Sequence, residues 1–406
     1  MKILLVNKYH FLKGGAERAY LDMARILEQH GHSVAFFSMK HPNNLPTLWE
    51  KYFIENIDYQ DGRLSFGQKL SLAVKILFNF NAQKKLEKLI EDFQPDVAHL
   101  HNVYHQLSPS VIWTLKKHRV PIVMTLHDYK PVSPNYNLFA WGKIWEHTSG
   151  FRCCLDRCVK NSFSKSLVCA LEKWLHTFLG SYEKVDVFIA PSRFLIQKYQ
   201  TLGFRREIVF LPNPLGPFEE NDKKIKREEN TFLFFGRLSP EKGVDTAIEA
   251  LALLPQDHKL WIVGNGPEKK RLETLTQEKG VASRVTFLGT LYGENLENLK
   301  QRAQAVILPS RWYENFPYAL SESLQSGCVV VTANIGGIAE RIAHQKNGVL
   351  FEAGNAKALA EALLSLKSLP LDAIRGRAQE SVADLNEEKF AQALLRIYNS
   401  LIAKQD

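Results

Sequence analysis

The chain has 406 residues, 45% of them hydrophobic and 23% charged, which leaves room for two or three packed domains and excludes disordered, collagenous and coiled-coil chains. No apolar run approaches the roughly 20 residues of a membrane span, and Met1 to Val6 leads into Asn7-Lys8 without a cleavage-like segment, so a cytoplasmic chain is expected. The net charge of +9 is one-sided: residues 1–213 hold 28 Lys and Arg against 18 Asp and Glu, residues 214–406 hold 24 against 25, and 11 of the 13 histidines fall in the first half. Such a field suits an anionic substrate or an anionic membrane surface, although a merely soluble basic face would look the same. No nucleic-acid partner is expected.

Short apolar runs alternate with helical patterns along the chain, which predicts an α/β fold with parallel sheets built from strand-helix-strand units. In the first half the strands are expected at Lys2 to Val6, Ser33 to Ser38, Val97 to His101, Ile122 to Leu126 and Val187 to Ala190. Glu17 to Gln29 reads as a helix with Ala16, Tyr20, Ala24 and Leu27 on one face, stopping before Gly31, a residue suited to a C-terminal cap. His99, His101 and His105 alternate around a strand end. That spacing suggests a metal cluster, but no Cys or carboxylate stands at ligand spacing, so packing or substrate contact is favoured. His127 closes the strand that ends Met124-Thr125-Leu126.

From about 131 to 182 the chain departs from the strand-helix rhythm and reads as an insertion, with four of the five cysteines. Cys154 and Cys158, with Cys153 and His147 nearby, invite a zinc reading. Ordinary reduced thiols are favoured, since an odd cysteine count in a chain of this length is no disulfide framework. Phe163, Leu167, Leu171, Trp174 and Phe178, with Lys165 and Lys173, mark a helix that could lie on a membrane surface or face a core. The hinge is expected at Leu211 to Pro217, followed by a charged stretch from Glu219 to Asn230.

The second half starts as the first does. Strand Phe232 to Phe235 precedes Lys242-Gly243 and a helix, as Ile3 to Val6 precedes Lys13-Gly14 and a helix. Further strands are expected at Thr231 to Phe235, Lys259 to Val263, Val285 to Leu288, Ala305 to Leu308 and Val329 to Thr332. Two tandem doubly wound, Rossmann-like domains facing a cleft would produce this pattern, with residues 1–213 and 214–385 as the domains and 386–406 as a helix packing back on the first.

Gly236 to Gly243, between a strand and a helix, places Arg237 and Lys242 at a helix N-terminus, where free N–H groups and two cations suit a diphosphate. An exposed Arg and Lys on an ordinary loop would read alike. Glu314 follows the strand Ala305 to Leu308, and Glu322 lies eight residues on, within the next helix. Paired acids so placed can accept hydrogen bonds from sugar and ribose hydroxyls, whereas the same spacing on a solvated helix would mean nothing.

In order, GGAE near the start, GRLSPEKG, GNGP, Glu314-x7-Glu322 and GGIAE resemble the family 4 retaining glycosyltransferases of the two-domain GT-B fold, over nearly the whole chain. The resemblance implies that the second domain binds a nucleoside-diphosphate sugar, the first binds an anionic or lipid-linked glycan acceptor, and no metal or cofactor is needed. It implies that Arg237 and Lys242 grip the diphosphate, Glu314 holds sugar hydroxyls, Glu322 holds the ribose, and Gly264, Asn315, Phe316, Pro317 and Tyr318 line the donor. Pro317 stands where many members have Gly, which removes one N–H donor. Gly14, Gly15 and Glu17 match the family's N-terminal loop, and His127 matches a histidine that contacts the transferring sugar. The implied setting is surface-polysaccharide or glycolipid synthesis on the cytoplasmic side, with peripheral contact to an anionic inner-membrane face. The alternatives are a non-catalytic sugar-nucleotide-binding protein and a GT-B sugar-nucleotide epimerase. A dinucleotide dehydrogenase is disfavoured because no GxGxxG follows the first strand.

Overall fold

The structure, a computed structural model, describes residues 1–56, 65–217 and 226–404. The charged stretch expected from Glu219 lies outside the described residues as far as 225. The chain forms two compact units, one comprising Met1–Trp141, Trp145–Pro214 and Glu387–Asp406, the other Gly142–Ile144 and Leu215–Asn386.

The first unit holds a six-stranded parallel sheet in the order Ser33–Phe37, Lys2–Val6, Val97–Leu100, Ile122–Thr125, Val187–Ala190, Ile208–Phe210. Its inner strands are mostly apolar on both faces because helices cover both, and Ile3, Leu4, Leu5 and Val6 are all fully buried. The first helix spans Gly15–Gln29, two residues earlier than the periodicity suggests, and Gly31 past its end adopts a left-handed φ of 78°. Helix Glu387–Ile402 buries Phe390, Ala391, Leu394, Tyr398 and Leu401 in one cluster with Ile3, Leu5, Tyr20 and Leu27. Each buried Leu, Ile or Phe among them contributes about 1.5–3 kcal/mol. Glu387 accepts from the Arg25 guanidinium at 3.0 Å, and Glu388 Oε2 lies 3.0 Å from His30 Nε2.

For the segment 131–182 one expectation is corrected and one of two alternatives falls away. Cys153 and Cys158 are not free thiols but a disulfide. After helix Gly150–Leu155 the chain folds back so that Cys158 N–H donates to Cys153 O, which brings the two Cα atoms within 5.1 Å, inside the span a disulfide bridges. The pair is buried with Ala140 and Trp145, and Cys158 is thereby unavailable to a zinc ion. Helix Phe163–Phe178 does not turn its apolar stripe to a core: Ser166, Cys169, Ala170, Glu172 and His176 are the buried residues, and the stripe is exposed.

The second unit repeats the design, in the order Val285–Gly289, Lys259–Val263, Glu228–Phe235, Ala303–Leu308, Val330–Ala333, Val349–Phe351. Its core includes Phe232, Phe234, Ile248, Leu251, Ile262, Ile307 and Val331. The two edge strands that sequence patterning misses, Ile208–Phe210 and Val349–Phe351, have three residues each, too few to show a period. The unit is closed where the chain enters and leaves it: Leu215 N–H donates to Leu385 O at 2.7 Å, and Leu215 bridges Asn386.

Candidate functional site

In a doubly wound sheet the strand order reverses at one place, and the loops leaving the carboxyl ends of the two strands there diverge to opposite faces, opening a crevice. In the second unit that place lies between Glu228–Phe235 and Ala303–Leu308. The loops that follow are residues 236–243 and 309–317, which carry Arg237, Lys242 and Glu314.

Lys242 Nζ lies 2.5 Å from Glu314 Oε1, and Ser310 Oγ donates to the same oxygen at 2.9 Å. The Lys242 ammonium is also 5.6 Å from the centroid of the Trp312 ring. Glu314 is buried and Lys242 partly exposed. Burial pushes the Glu314 carboxyl up, but the Lys242 charge and the hydrogen bonds from Lys242 and Ser310 outweigh it and hold the group below its usual range. Arg237 is exposed.

The motif glycines fix these loops by letting backbones touch. Gly243 has φ 65°, and a Cβ there would lie 2.0 Å from Pro309 O. A Cβ on Gly264, at φ 135°, would lie 1.8 Å from Gly236 O. Gly264 thus ties the Gly236–Gly243 loop to the next strand, a sufficient structural reason for glycine at that position. Gly337, in the GGIAE segment, donates from N–H to Glu314 O at 2.7 Å, so the glycine pair holds the backbone that carries the acid.

Two helices begin in these loops without a side-chain cap, Val244–Leu253 after Gly243 and Tyr318–Gln325 after Pro317. Their leading N–H groups give the crevice a positive partial charge. Asn315 and Phe316 precede the second helix, Tyr318 opens it, and Glu322 lies one turn in, partly buried. The Phe316 and Tyr318 rings meet edge to face at 5.5 Å.

Sequence reasoning missed the brace beneath this arrangement. Arg311 bonds Asp245 Oδ1 at 2.9 Å and Thr246 Oγ1 at 2.7 Å, and Arg311 N–H donates to Glu241 O at 2.9 Å, locking the Glu314 loop to the first turn of the helix after Lys242. No motif signals that partnership, because the two ends are distant in sequence.

In the first unit the order reverses between Lys2–Val6 and Val97–Leu100, and the residues beyond those strands and the next gather at one end. Gly14 precedes the helix that begins at Gly15, and Glu17 is buried in its first turn. His99, His101 and His127 form a stack of imidazoles with successive centroids 5.0 Å apart. His101 Nδ1 is 2.8 Å from His127 Nε2, and His99 bridges Thr125 Oγ1 at 2.7 Å and Tyr398 OH at 2.6 Å. Burial drives His99 down to about 3 and His127 to about 4, so the rings are neutral and act as polar hydrogen-bonding plates.

His105 stands apart from that stack. With Cys169 and Glu172 it forms a group whose potential ligand atoms lie within 4.8 Å of one another. The positive charge there is Lys130, whose buried Nζ is 2.7 Å from Glu172 Oε2, with His105 Nδ1 at 2.8 Å from the same oxygen. Burial opposes ionisation of Glu172, but His105 and Lys130 reverse the balance and hold it far below the usual carboxylate range. Lys8 lies 4.3 Å from the Tyr104 ring centroid and Lys13 3.6 Å from that of Tyr9, so this end of the unit presents cations framed by aromatic rings.

The model of Glycosyltransferase Family 4 matches residues 13–216, and that of Glycosyl transferases group 1 matches residues 217–384. An uncharacterized 42.6 kDa protein of the cps region of Klebsiella pneumoniae is 27% identical over 84% of this chain and 87% of its own length. Among solved structures, sucrose-phosphate synthase from Thermosynechococcus elongatus superposes with a TM-score of 0.70 at 19% identity, over 99% of both chains. Anabaena HepE in complex with UDP gives 0.66 at 21% identity, over 99% of this chain and 100% of its own. Both likenesses concern the fold, that of paired Rossmann-like sheets.

Proposed function

The chain belongs to glycosyltransferase family 4, and from that premise we propose a retaining, metal-independent hexosyltransferase that draws on a nucleoside-diphosphate sugar and serves polysaccharide or glycolipid synthesis. The observation that carries the reading is the Lys242–Glu314 pair at the reversal of the second unit's sheet, beside two helix N-termini without side-chain caps. Cations and N–H groups there suit the pyrophosphate, the carboxylate suits sugar hydroxyls, and a UDP complex of a protein with this fold agrees with such a donor. In this assignment Arg237 meets the phosphates from its exposed position, Glu322 holds the ribose, and Gly264, Asn315, Phe316, Pro317 and Tyr318 line the donor.

The first unit takes the acceptor. Lys8, Lys13 and the ring frame of Tyr9 and Tyr104 suit an anionic or lipid-linked glycan. Gly14, Gly15 and Glu17 shape its edge, and neutral His127 offers a hydrogen bond to a sugar hydroxyl. The acceptor hydroxyl attacks the anomeric carbon on the face the phosphate leaves. The C–O bond to phosphate breaks as the new glycosidic bond forms, and the departing phosphate oxygen takes the hydroxyl proton. The protein's part is positioning and charge stabilisation, with no cofactor and no dedicated carboxylate base. The enzyme works on the cytoplasmic side of an anionic membrane that it contacts peripherally.

A calorimetric screen against UDP-, GDP-, ADP- and dTDP-sugars, followed by transfer assays with a cell-extract acceptor, tests the reading. Nucleoside diphosphate release that needs the acceptor supports transfer. Binding without release would mean a non-catalytic protein, and release without acceptor would mean an epimerase.

A further inference from the structure

Helix Phe163–Phe178 is built inside out. On a surface helix of a globular protein the apolar stripe faces the core and the polar face meets water. Here the buried side is Ser166, Cys169, Ala170, Glu172 and His176, while Phe163, Leu167, Leu171, Trp174 and Phe178 are exposed, Trp174 by 62% and Phe178 by 75%. The inward polar groups are held in place. Glu172 meets Lys130 and His105, His176 Nδ1 meets Ser181 Oγ at 2.8 Å and its Nε2 meets Leu77 O at 2.9 Å, and Ser166 Oγ accepts from Val159 N–H at 3.1 Å. Rotating the helix to bury its apolar side would strip those bonds and bury ionised groups without partners. The outward stripe is therefore the orientation the fold enforces.

The neighbouring helices extend it. Gly150–Leu155 and Phe66–Leu77 both pack against Phe163–Phe178, and they expose Phe151, Leu155 and Val74. On the three helices Lys75, Arg152 and Lys165 are exposed and the one acid, Glu172, is buried, while Asp156, just past the end of Gly150–Leu155, pairs with Arg152 at 2.9 Å. Trp174 and Phe178 stack in parallel with centroids 5.7 Å apart, two flat amphipathic or apolar rings at the outer surface, where the boundary of a bilayer favours them.

We propose that this face docks on an anionic lipid bilayer, its aromatic and leucine side chains entering the headgroup boundary while Lys75 and Lys165 meet the lipid phosphates. A second copy of the chain would bring the same cations against themselves, so charge disfavours self-association through this face. The inference deepens the proposed function and rests on it for its purpose, which is to hold the first unit at a membrane-bound acceptor; the docking itself is tested without any transfer reaction.

The test uses the full chain in sedimentation with large unilamellar vesicles of phosphatidylglycerol and phosphatidylethanolamine, and with vesicles of phosphatidylcholine alone. Binding to the anionic vesicles should exceed binding to the neutral ones by about tenfold and fall as salt is raised. Trp174→Ser with Phe178→Ser should weaken anionic-vesicle binding by at least about tenfold, and Lys75→Glu and Lys165→Glu by roughly fivefold each. Both sets should leave melting temperature and nucleotide-sugar binding unchanged, since all four side chains face outward. Equal binding by wild type and the Trp174/Phe178 variant, or no preference for the anionic vesicles, overturns the proposal. So does a wild-type dimer in sedimentation velocity that the Trp174/Phe178 variant abolishes, which would give the face to a second copy. Failure of vesicle binding with nucleotide-sugar binding intact rejects the docking alone, and the converse rejects only the donor reading.

Discussion

Lys242 and Glu314, separated by 72 residues of chain, meet at 2.5 Å where two loops leave adjacent strands of the second unit. Burial opposes ionisation of Glu314, and the Lys242 charge in contact with it reverses the balance and holds the carboxyl below its usual range.

Removing Lys242 leaves the Glu314 carboxylate buried without its cation. Lys242→Ala should cut transfer by about 100- to 1000-fold, the usual cost of one transition-state donor, and destabilise the chain by about 1–3 kcal/mol. Lys242→Met combined with Glu314→Gln should recover most of the stability and none of the activity. Parallel denaturant titrations and transfer assays separate the two effects, and full activity in either variant would refute the assignment.

The same pair sets a dependence on acid. The folded Glu314 group lies below its ordinary value of 4.5, so its stabilisation is complete above about pH 4.5 and is lost as pH falls through the folded value. A melting curve taken from pH 6 to 3 should fall less steeply below pH 4.5 in Glu314→Gln than in the parent.

The imidazole stack acts over a higher window. His99 is depressed to about 3 and His127 to about 4 from 6.5, so the unfolded chain binds protons first. Stability should be full above about pH 6.5 and decline toward pH 4, by up to about 1.4 kcal/mol per pH unit for each histidine. His127→Gln should flatten part of that decline. A parent stability that does not change between pH 7 and 4.5 would contradict the buried, neutral stack.

Two glycines of the second unit should respond in opposite directions. Gly264→Ala forces a Cβ to within 1.8 Å of a backbone oxygen and should cost at least about 3 kcal/mol or prevent folding. Gly376, inside helix Leu371–Glu380, meets nothing within 4 Å, and Gly376→Ala should stabilise by about 0.5–1 kcal/mol. Equal, small effects at both sites would show that the loops do not touch as described.

Alkylation of the denatured, unreduced chain should label three thiols, Cys154, Cys169 and Cys328, and leave Cys153 and Cys158 joined. Intact-mass spectrometry reads the number directly. Five labels would disprove the disulfide.

The sequence alone determined the alternation of strands and helices, the repeated strand-loop-helix opening of each half, the loops bearing Arg237, Lys242 and Glu314, and the helix bearing Glu322, because periodicity, glycine placement and motif order are properties of neighbouring residues. Only the tertiary structure decided that Lys242 pairs with Glu314, that Arg311 braces the helix at Asp245, that Cys153 finds Cys158, and that the helix from Phe163 turns its polar side inward. The helix shows the reason most plainly. A stripe of Phe, Leu and Trp at helical spacing ordinarily belongs in a core, and what reverses it is Lys130, His105 and Leu77, residues remote in the chain whose charge and hydrogen bonds claim Glu172 and His176. Burying an ionised carboxylate with its partners, and forbidding it a place without them, is a condition that distant parts of the chain impose and no local pattern can express.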